Sequence, residues 1–178
     1  NFFDNQRVVV IGASSDTKKV GYAIAKNSTD GFTGELFFVN AKGGTLFGKP
    51  LHKTIGEIQG DLDTAVITIP SKFVLGILDE LVQKHIKNVI IISAGFKEVG
   101  DYESEEKIAK LAKEHNFNVI GPNCLGYMEG SKGLDITFGK NGTMKNGKLA
   151  LLSQSGAVMA ALMDKATENG IGFSHLLS

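Results

Sequence analysis

The sequence predicts an α/β fold in which helices cover both faces of a mostly parallel sheet. Five apolar, β-branched runs recur along the chain, they are continuous rather than alternating, and helical patterns with short loops separate them. Continuous apolar runs are typical of strands buried on both faces of a parallel sheet. Strands that alternate with helices favour a doubly wound sheet built from right-handed crossovers. The predicted strands are Val8–Ile11, Leu36–Val39, Thr64–Ile69, Val89–Ile92 and Asn118–Ile120.

The first strand leads into a turn of small and polar residues, in the segment VVVIGASSDTKKVG from Val8 to Gly21. A strand, a tight turn and a helix together point backbone N–H groups at a phosphate. The dinucleotide fingerprint requires further glycines two and five residues after the first. Ser14 and Thr17 occupy those positions after Gly12, so the loop departs from the nicotinamide pattern.

The second strand ends in FFVNAKGG, which helps to distinguish an NAD site from a site for another nucleotide. An NAD site places Asp or Glu at the end of this strand to bind the ribose diol. This chain has Asn40 there, and Lys42 follows as a cation that would suit a ribose phosphate. The pair favours a phosphorylated adenosine over NAD. A solvated surface lysine is the alternative interpretation of Lys42, and a nicotinamide-dependent dehydrogenase is the alternative function.

The sequence predicts two helices whose first and last residues can be named. The segment Ser71–Lys87 carries an apolar stripe at i, i+3 and i+4 spacing, with Pro70 closing the preceding strand and Ser71 as the expected N-cap. The segment Glu103–Asn116 has acidic residues in its first turn, where they favour the helix dipole. Ligands of doubly wound folds bind at the carboxyl ends of the strands, so the residues that follow each strand are the candidates.

Small and turn-forming residues follow the remaining strands. Pro70 gives the third strand a rigid exit that could flank an adenine or a pantetheine chain, and Ser93 and Ala94 would let a ligand pass close to the backbone after the fourth. The fifth strand ends in IGPNCLGY, whose glycines, proline and asparagine indicate a fixed loop. Cys124 lies in that loop. Its alternatives are a small buried hydrophobe and a thiol that contacts the ligand.

The last third of the chain predicts a connector and a second unit. GKNGTMKNG is rich in glycine and asparagine and indicates a connector with hairpin turns. A strand at Lys148–Leu152, a helix to about Glu168 and a strand-like FSHLLS follow. These few elements cannot bury their own faces, which indicates the beginning of a second α/β domain. Ser153, Ser155 and Gly156 at the helix start are predicted to form a second anion site.

Composition excludes several classes of function. The 19 basic and 19 acidic side chains balance, which argues against nucleic acid as the main partner. The single cysteine cannot form an internal disulfide, and no apolar run has the length that a bilayer span requires. The chain is therefore expected to be cytoplasmic, with no membrane partner and no metal site.

Taken in order, the strand ends resemble the nucleoside-diphosphate-forming acyl-CoA synthetases, the superfamily of succinyl-CoA synthetase and ADP-forming acetyl-CoA synthetase. GPNCLG is the most specific motif, and the paired Phe2-Phe3 and the longer first turn are more similar to the acetate-type branch than to the succinate-type branch. The matching segments are FFDNQRVVVIGAS, KVGYAI, FFVNAKGGTLFGKP, AVITIPSKF, IISAGF, IGPNCLGY and KLALLSQSGAV.

The resemblance implies a division of the chain and a set of ligand contacts. Residues 1–127 would form a Rossmann-like CoA-binding domain, 128–147 a connector, and 148–178 the truncated start of a flavodoxin-like ligase domain. Ser153, Ser155 and Gly156 would belong to a helix terminus that stabilises a phosphohistidine. The residues implied to contact coenzyme A, which is a substrate, are Gly12, Ser14, Ser15, Val20, Asn40, Lys42, Pro70, Ser93, Ala94, Asn123 and Cys124.

The resemblance also implies the reaction acyl-CoA + phosphate + ADP ⇌ carboxylate + CoA + ATP, through an acyl phosphate and a phosphohistidine. None of the four histidines, His52, His85, His115 and His175, has the Gly-His-Ala-Gly-like context of the family's catalytic histidine. No catalytic residue is therefore expected here, and the fragment should bind CoA without turnover. Ala160 replaces a tyrosine of the succinate-type enzymes, which makes a dicarboxylate substrate less favoured.

The missing parts are expected in a partner or a fused region. ADP or ATP with Mg would bind to an ATP-grasp β-subunit or β-like region, and the intact protein is expected to be an oligomer. The alternative function is a non-catalytic, regulatory CoA-binding module, for example one fused to an acetyltransferase.

Overall fold

The computed structural model describes residues 5–139 and 145–178, which form two sheets and four α-helices. The helices are α1 (Val20–Thr29), α2 (Val74–Val82), α3 (Tyr102–His115) and α4 (Gly156–Glu168). The first sheet contains β1 (Arg7–Ile11), β2 (Glu35–Val39), β3 (Gly44–Leu46), β4 (Lys49–His52), β5 (Thr64–Ile67), β6 (Asn88–Ile91) and β7 (Asn118–Ile120). The second contains β8 (Gly126–Glu129), β9 (Leu134–Thr137), β10 (Asn146–Leu152) and β11 (Phe173–Leu177).

The first sheet has the strand order β3-β4-β2-β1-β5-β6-β7. All neighbouring pairs are parallel except β3 and β4, which form an antiparallel hairpin at one edge. The chain runs outward from β1 through β2 in one direction and through β5 in the other. This reversal of strand order is the topological switch point of a doubly wound sheet, and it confirms the predicted fold class.

Both faces of the first sheet are buried. Val9 and Ile67 pack with Leu78 of α2 in one apolar cluster, whereas Val10 packs with Ile24 of α1 in another. Every residue of β5 and β6 is buried. The continuous apolar runs of β5 and β6 therefore correspond to strands covered on both sides, as their pattern predicts, whereas β7 has no buried residue.

The second sheet has the order β10-β11-β8-β9. Strands β10 and β11 are parallel, whereas β11 pairs antiparallel with β8 and β8 pairs antiparallel with β9. Residues 128–147, predicted as a connector, thus include the end of β8, all of β9 and the start of β10, which the sequence analysis did not anticipate. Leu134 and Ile136 of β9 are buried in the cluster that contains Ile24 of α1.

The helix predicted at Ser71–Lys87 is shorter than its pattern. Residues Ser71–Phe73 form a 3₁₀ turn, α2 ends at Val82, and Ser71 makes no side-chain cap, so its prediction as the N-cap is wrong. His85 adopts a left-handed φ of 51°, which turns the chain towards β6. The second predicted helix matches α3, whose N-cap Asp101 accepts a hydrogen bond of 3.1 Å from the N–H of Ser104.

Among the described residues, every helix is too short or too polar to pass through a lipid bilayer.

Candidate functional site

The carboxyl ends of β1, β2, β5, β6 and β7 meet along one edge of the first sheet, where two cavities open. The α2 cavity has a volume of about 540 Å³ and lies at the ends of β1, β2 and β5, beside helix α2. The α4 cavity has a volume of about 700 Å³ and lies at the ends of β5 and β6, beside the start of α4. Most of the predicted site residues line one cavity or the other. Gly12, Asn40 and Pro70 line the α2 cavity, and Val20, Ser93, Ala94, Asn123, Cys124 and Gly156 line the α4 cavity.

Glycine is required where β1 turns into its loop. Gly12 has a φ of +93°, and a Cβ atom there would lie 2.5 Å from Thr68 Oγ1. A Cβ on Gly21 of α1 would lie 2.0 Å from the carbonyl oxygen of Gly12. Helix α1 therefore packs directly against the strand end, and backbone rather than side chain is presented there.

The start of α1 is electropositive. The helix has no side-chain cap at Lys19 and no acidic residue in its first turn, and Lys18 and Lys19 directly precede it. Cations are unfavourable at this end of a helix dipole unless an anion offsets them. The arrangement suits an anionic ligand, for which helix N–H groups are natural donors.

Two polar residues of the predicted site shape the loops that border it. The Ser14 hydroxyl accepts a hydrogen bond of 3.0 Å from the N–H of Asp16. The Asn40 amide donates to the carbonyl of Ala13 at 2.8 Å, and its oxygen accepts from the N–H of Lys42 at 3.0 Å. Asn40 thus joins the loops after β1 and β2. Ser15 and Lys42 are exposed beside them.

The loop after β7 is held to the strands beside it. Asn123 has a left-handed φ of 55°, and its N–H donates to the carbonyl of Ser93 at 3.0 Å. The Ser93 hydroxyl donates to the carbonyl of Ile69, and the Cys124 thiol donates to the carbonyl of Ile91 at 3.4 Å. These contacts place Asn123 and Cys124 on the wall of the α4 cavity.

Burial raises the pKa of the Cys124 thiol to about 12. The thiol is therefore neutral at physiological pH, and a neutral thiol is neither a strong nucleophile nor a metal ligand. Of the two interpretations that the sequence leaves open, the buried hydrophobe describes the chemistry of Cys124, although the residue also lines a cavity.

The serines at the start of α4 have local partners. Ser155 is the N-cap, and its hydroxyl accepts from the N–H of Val158 at 3.3 Å. The Ser153 hydroxyl accepts from the N–H of Ser155 at 3.1 Å. Capping therefore accounts for the Ser155 hydroxyl, and a local turn accounts for the Ser153 hydroxyl. The residues of α4 that line the α4 cavity are small: Gly156, Ala157 and Ala160.

A third cavity of about 400 Å³ adjoins the α4 cavity and is polar. It shares Asn123 and Cys124 with that cavity and adds Lys97, Glu98 and Glu105. The N–H groups of Gly95 and Phe96 donate to the Glu98 carboxylate and lower its pKa. Glu98 is thus a loop-shaping carboxylate. No group of three metal-ligating side chains occurs among the described residues.

Several residues of the α4 cavity were not predicted from the sequence. Thr68 is the last polar residue of the third predicted strand, Thr64–Ile69, and a polar residue near a strand's carboxyl end was a signal that could have identified it. No local pattern indicated Phe138, because it follows β9 and that strand was not predicted. The lining residues that were not predicted are Thr68, Ile92, Leu125, Phe138, Gln154 and Ala157.

Comparisons with known proteins give two family matches along the chain. The family model described as CoA binding domain matches residues 6–129, and the model described as succinyl-CoA ligase like flavodoxin domain matches residues 146–178. The ADP-forming acetate–CoA ligase of Methanocaldococcus jannaschii is 44% identical over 171 residues, which is 96% of this chain and 24% of that protein. The ADP-forming 4-hydroxybutyrate–CoA ligase of Nitrosopumilus maritimus is 42% identical over 96% of this chain and 25% of its own length.

Solved structures agree. An acetyl-coenzyme A synthetase of Ca. Korarchaeum cryptofilum, solved with phosphate and ADP, superimposes with a TM-score of 0.92 at 35% identity, over 99% of this chain and 38% of that one. The chain thus spans about a quarter to two fifths of these relatives. These matches confirm the resemblance carried by the strand-end motifs: the chain belongs to the CoA-binding domain family, in the form found in ADP-forming acyl-CoA ligases.

Proposed function

We propose that this chain is the CoA-binding portion of an ADP-forming acyl-CoA synthetase, which catalyses acyl-CoA + phosphate + ADP ⇌ carboxylate + CoA + ATP. The observation that carries the proposal is the convergence of five strand ends, with the matched motifs, on two cavities at the same edge of the sheet. A nucleotide joined to a thiol arm needs two such subsites. Within this proposal, residues 1–127 bind CoA and residues 148–178 begin the ligase domain.

The adenosine end is assigned to the α2 cavity. Ile69, Pro70 and the half-exposed ring of Phe73 give that cavity an apolar wall, which suits an adenine ring. Lys42 lies on the loop that Asn40 holds, where it can meet the 3′-phosphate. The diphosphate is assigned to the electropositive start of α1, near Ser15 and Val20.

The thiol end is assigned to the α4 cavity, beside Asn123 and Cys124. The neutral Cys124 thiol does not compete as a nucleophile with the CoA thiol. The dipole of α4, at Ser153, Ser155 and Gly156, would help to offset the charge of a phosphohistidine. That histidine, the ADP site and its Mg are assigned to parts of the intact enzyme outside this sequence.

The remaining assignments concern substrate, partner and location. Ala160 leaves space in the α4 cavity where succinate-type relatives would carry a tyrosine, which supports a monocarboxylic acid such as acetate. Two curated relatives are named as α subunits of acetate–CoA ligases, which supports a β-subunit or a fused β-like region as the partner. An oligomeric, cytoplasmic enzyme completes the proposal.

Calorimetric titration of the chain with CoA, dephospho-CoA and NAD tests the proposal. We expect CoA to bind at about micromolar strength or tighter, and NAD to bind far more weakly. Lys42→Glu should weaken CoA about tenfold while changing dephospho-CoA little, because only CoA carries the 3′-phosphate. Lys113→Glu, a charge reversal in α3, is the matched control and should change neither affinity.

NAD binding tighter than CoA would overturn the proposed function. Equal losses for CoA and dephospho-CoA in Lys42→Glu would overturn the role of Lys42 alone.

A further inference from the structure

Phe138 is an apolar ring that lies outside the core. It directly follows β9, its side chain is 40% exposed, and it belongs to none of the described core clusters. It lines the α4 cavity, on which Asn123 and Cys124 also lie. An aromatic side chain left half-exposed on a cavity wall is available to contact an apolar ligand group.

The backbone on both sides of Phe138 is held by buried or half-buried polar groups. The Asn27 amide of α1 donates to the carbonyl of Thr137 at 2.9 Å and to the carbonyl of Gly139 at 3.1 Å. The N–H and the hydroxyl of Thr137 donate to one Asp135 carboxylate oxygen at 3.0 and 2.8 Å. Ser28 of α1 donates to the Asp135 carbonyl at 3.0 Å. Phe138 is therefore presented from a fixed backbone despite its exposure.

The other walls of the α4 cavity leave room beside Phe138. Helix α4 contributes Gly156, Ala157 and Ala160, and the loop after β7 contributes Leu125. These side chains are small or apolar, and the polar residues of the lining, Thr68, Ser93, Asn123 and Gln154, carry no charge. The cavity thus suits a short uncharged group more than a charged one.

We propose that Phe138 is the apolar wall that contacts the acyl group of a bound acyl-CoA, and that Asn27 is the residue that positions it. The inference rests on the proposed function, because it requires the CoA thiol to lie in the α4 cavity. The acyl carbons extend from the sulfur across the small residues of α4 to the Phe138 ring. Free CoA ends at the sulfur and does not reach the ring.

Titration calorimetry with CoA and butyryl-CoA tests this role in the chain. Phe138→Ala should weaken butyryl-CoA about fivefold to tenfold, because the buried alkyl carbons lose their contact, while CoA changes by less than about twofold. Asn27→Asp keeps the shape of the side chain but removes the two N–H donors. It should lower the affinity for butyryl-CoA relative to the affinity for CoA by about twofold to threefold, which is the direction expected for Phe138→Ala. A residue with a merely structural role would not change the ratio of the two affinities.

Phe73→Ala is the matched control, since Phe73 is the half-exposed aromatic ring of the α2 cavity. It should weaken CoA and butyryl-CoA by the same factor. Ala160→Phe adds a large side chain to the α4 cavity from helix α4 and should weaken butyryl-CoA more than CoA, which keeps the test valid if Phe138→Ala folds poorly.

The outcomes separate the two proposals. No CoA binding by the unchanged, folded chain would overturn the proposed function and this inference together. CoA binding that is intact, with equal losses or no losses for CoA and butyryl-CoA in Phe138→Ala and Ala160→Phe, would overturn the acyl wall alone.

Discussion

The centre of the first sheet and the edge strand β10 of the second sheet differ in how completely the described residues cover them. Strands β5 and β6 of the first sheet are buried along their whole length, between α2 on one face and α1 with β9 on the other. Strand β10 of the second sheet has no buried residue, and Leu152 at its end is 69% exposed. Since buried apolar area drives folding, β5 and β6 should contribute more to the free energy of unfolding than β10.

The largest difference in the free energy of unfolding should appear between two leucine-to-alanine variants. Leu78→Ala removes a fully buried side chain of α2 and should lower the free energy of unfolding by about 2–5 kcal/mol. Leu152→Ala, the matched control in the second sheet, should change it by less than about 0.5 kcal/mol. Urea unfolding followed by circular dichroism measures both. Comparable losses would show that β10 contributes as much to the free energy of unfolding as the covered centre of the first sheet.

An intermediate difference in the free energy of unfolding should appear when two carboxylates with opposite pKa shifts are replaced. Burial disfavours the charge of Asp63, beside the first sheet, but hydrogen bonds from Lys87 and from the N–H groups of Arg7 and Gln6 lower its pKa. Its ionised form therefore stabilises the fold above about pH 4, and that contribution is lost as the pH falls through the lowered pKa. Asp63→Asn should cost about 1–3 kcal/mol at pH 7.

Asp135 of β9 should show the opposite sign. Burial raises its pKa, although the N–H and hydroxyl of Thr137 act against that rise. Ionisation therefore costs stability as the pH rises above about 4, and Asp135→Asn should be more stable than the unchanged chain at pH 7. Urea unfolding from pH 3 to 8 should show both variants converging on the unchanged chain in acid. A loss at pH 7 in Asp135→Asn would contradict this expectation.

The smallest difference in the free energy of unfolding should appear when two glycines that have open space around them are replaced by alanine. Gly76 lies within α2, and a Cβ atom added there would have no neighbouring atom within 4 Å, so Gly76→Ala should raise the free energy of unfolding by about 0.5–1 kcal/mol. Gly170, after α4, has a φ of +66°, so Gly170→Ala should lower it by about 1 kcal/mol. Thermal unfolding measures both, and changes of the same sign would refute the distinction.

The sequence predicted five of the seven strands of the first sheet but not the hairpin strands β3 and β4. It predicted the central strands because burial on both faces leaves a local record. A run such as TAVITI has no polar alternation, and each of its strand residues is indeed buried. Strand β8 leaves no such record, since its sequence GYME contains the buried Glu129. Glu129 accepts hydrogen bonds from Asn5 at 3.1 Å and from Tyr127 at 3.3 Å. A partner more than a hundred residues away cannot be predicted from a local pattern.

The candidate site likewise has features that a local sequence pattern predicts and features that it does not. Strand ends can be placed from the sequence, so Gly12, Pro70 and Cys124 were found as cavity residues. The partner of a side chain cannot be placed in this way. The sequence did not predict that the Asn40 amide ties two loops together, nor that Asn27 fixes the chain beside Phe138.

Strand β11 pairs with β10 on one side and with β8 on the other, at His175 with Glu129 and Leu177 with Tyr127. The smaller sheet is consequently formed by strands from both sides of residues 139–145, with β8 and β9 before them and β10 and β11 after them. A single proteolytic cut between residues 139 and 145 would leave two fragments that the pairing of β8 with β11 still holds together. The two fragments should copurify. Separately expressed halves should likewise reassemble by complementation, with neither half containing the whole sheet.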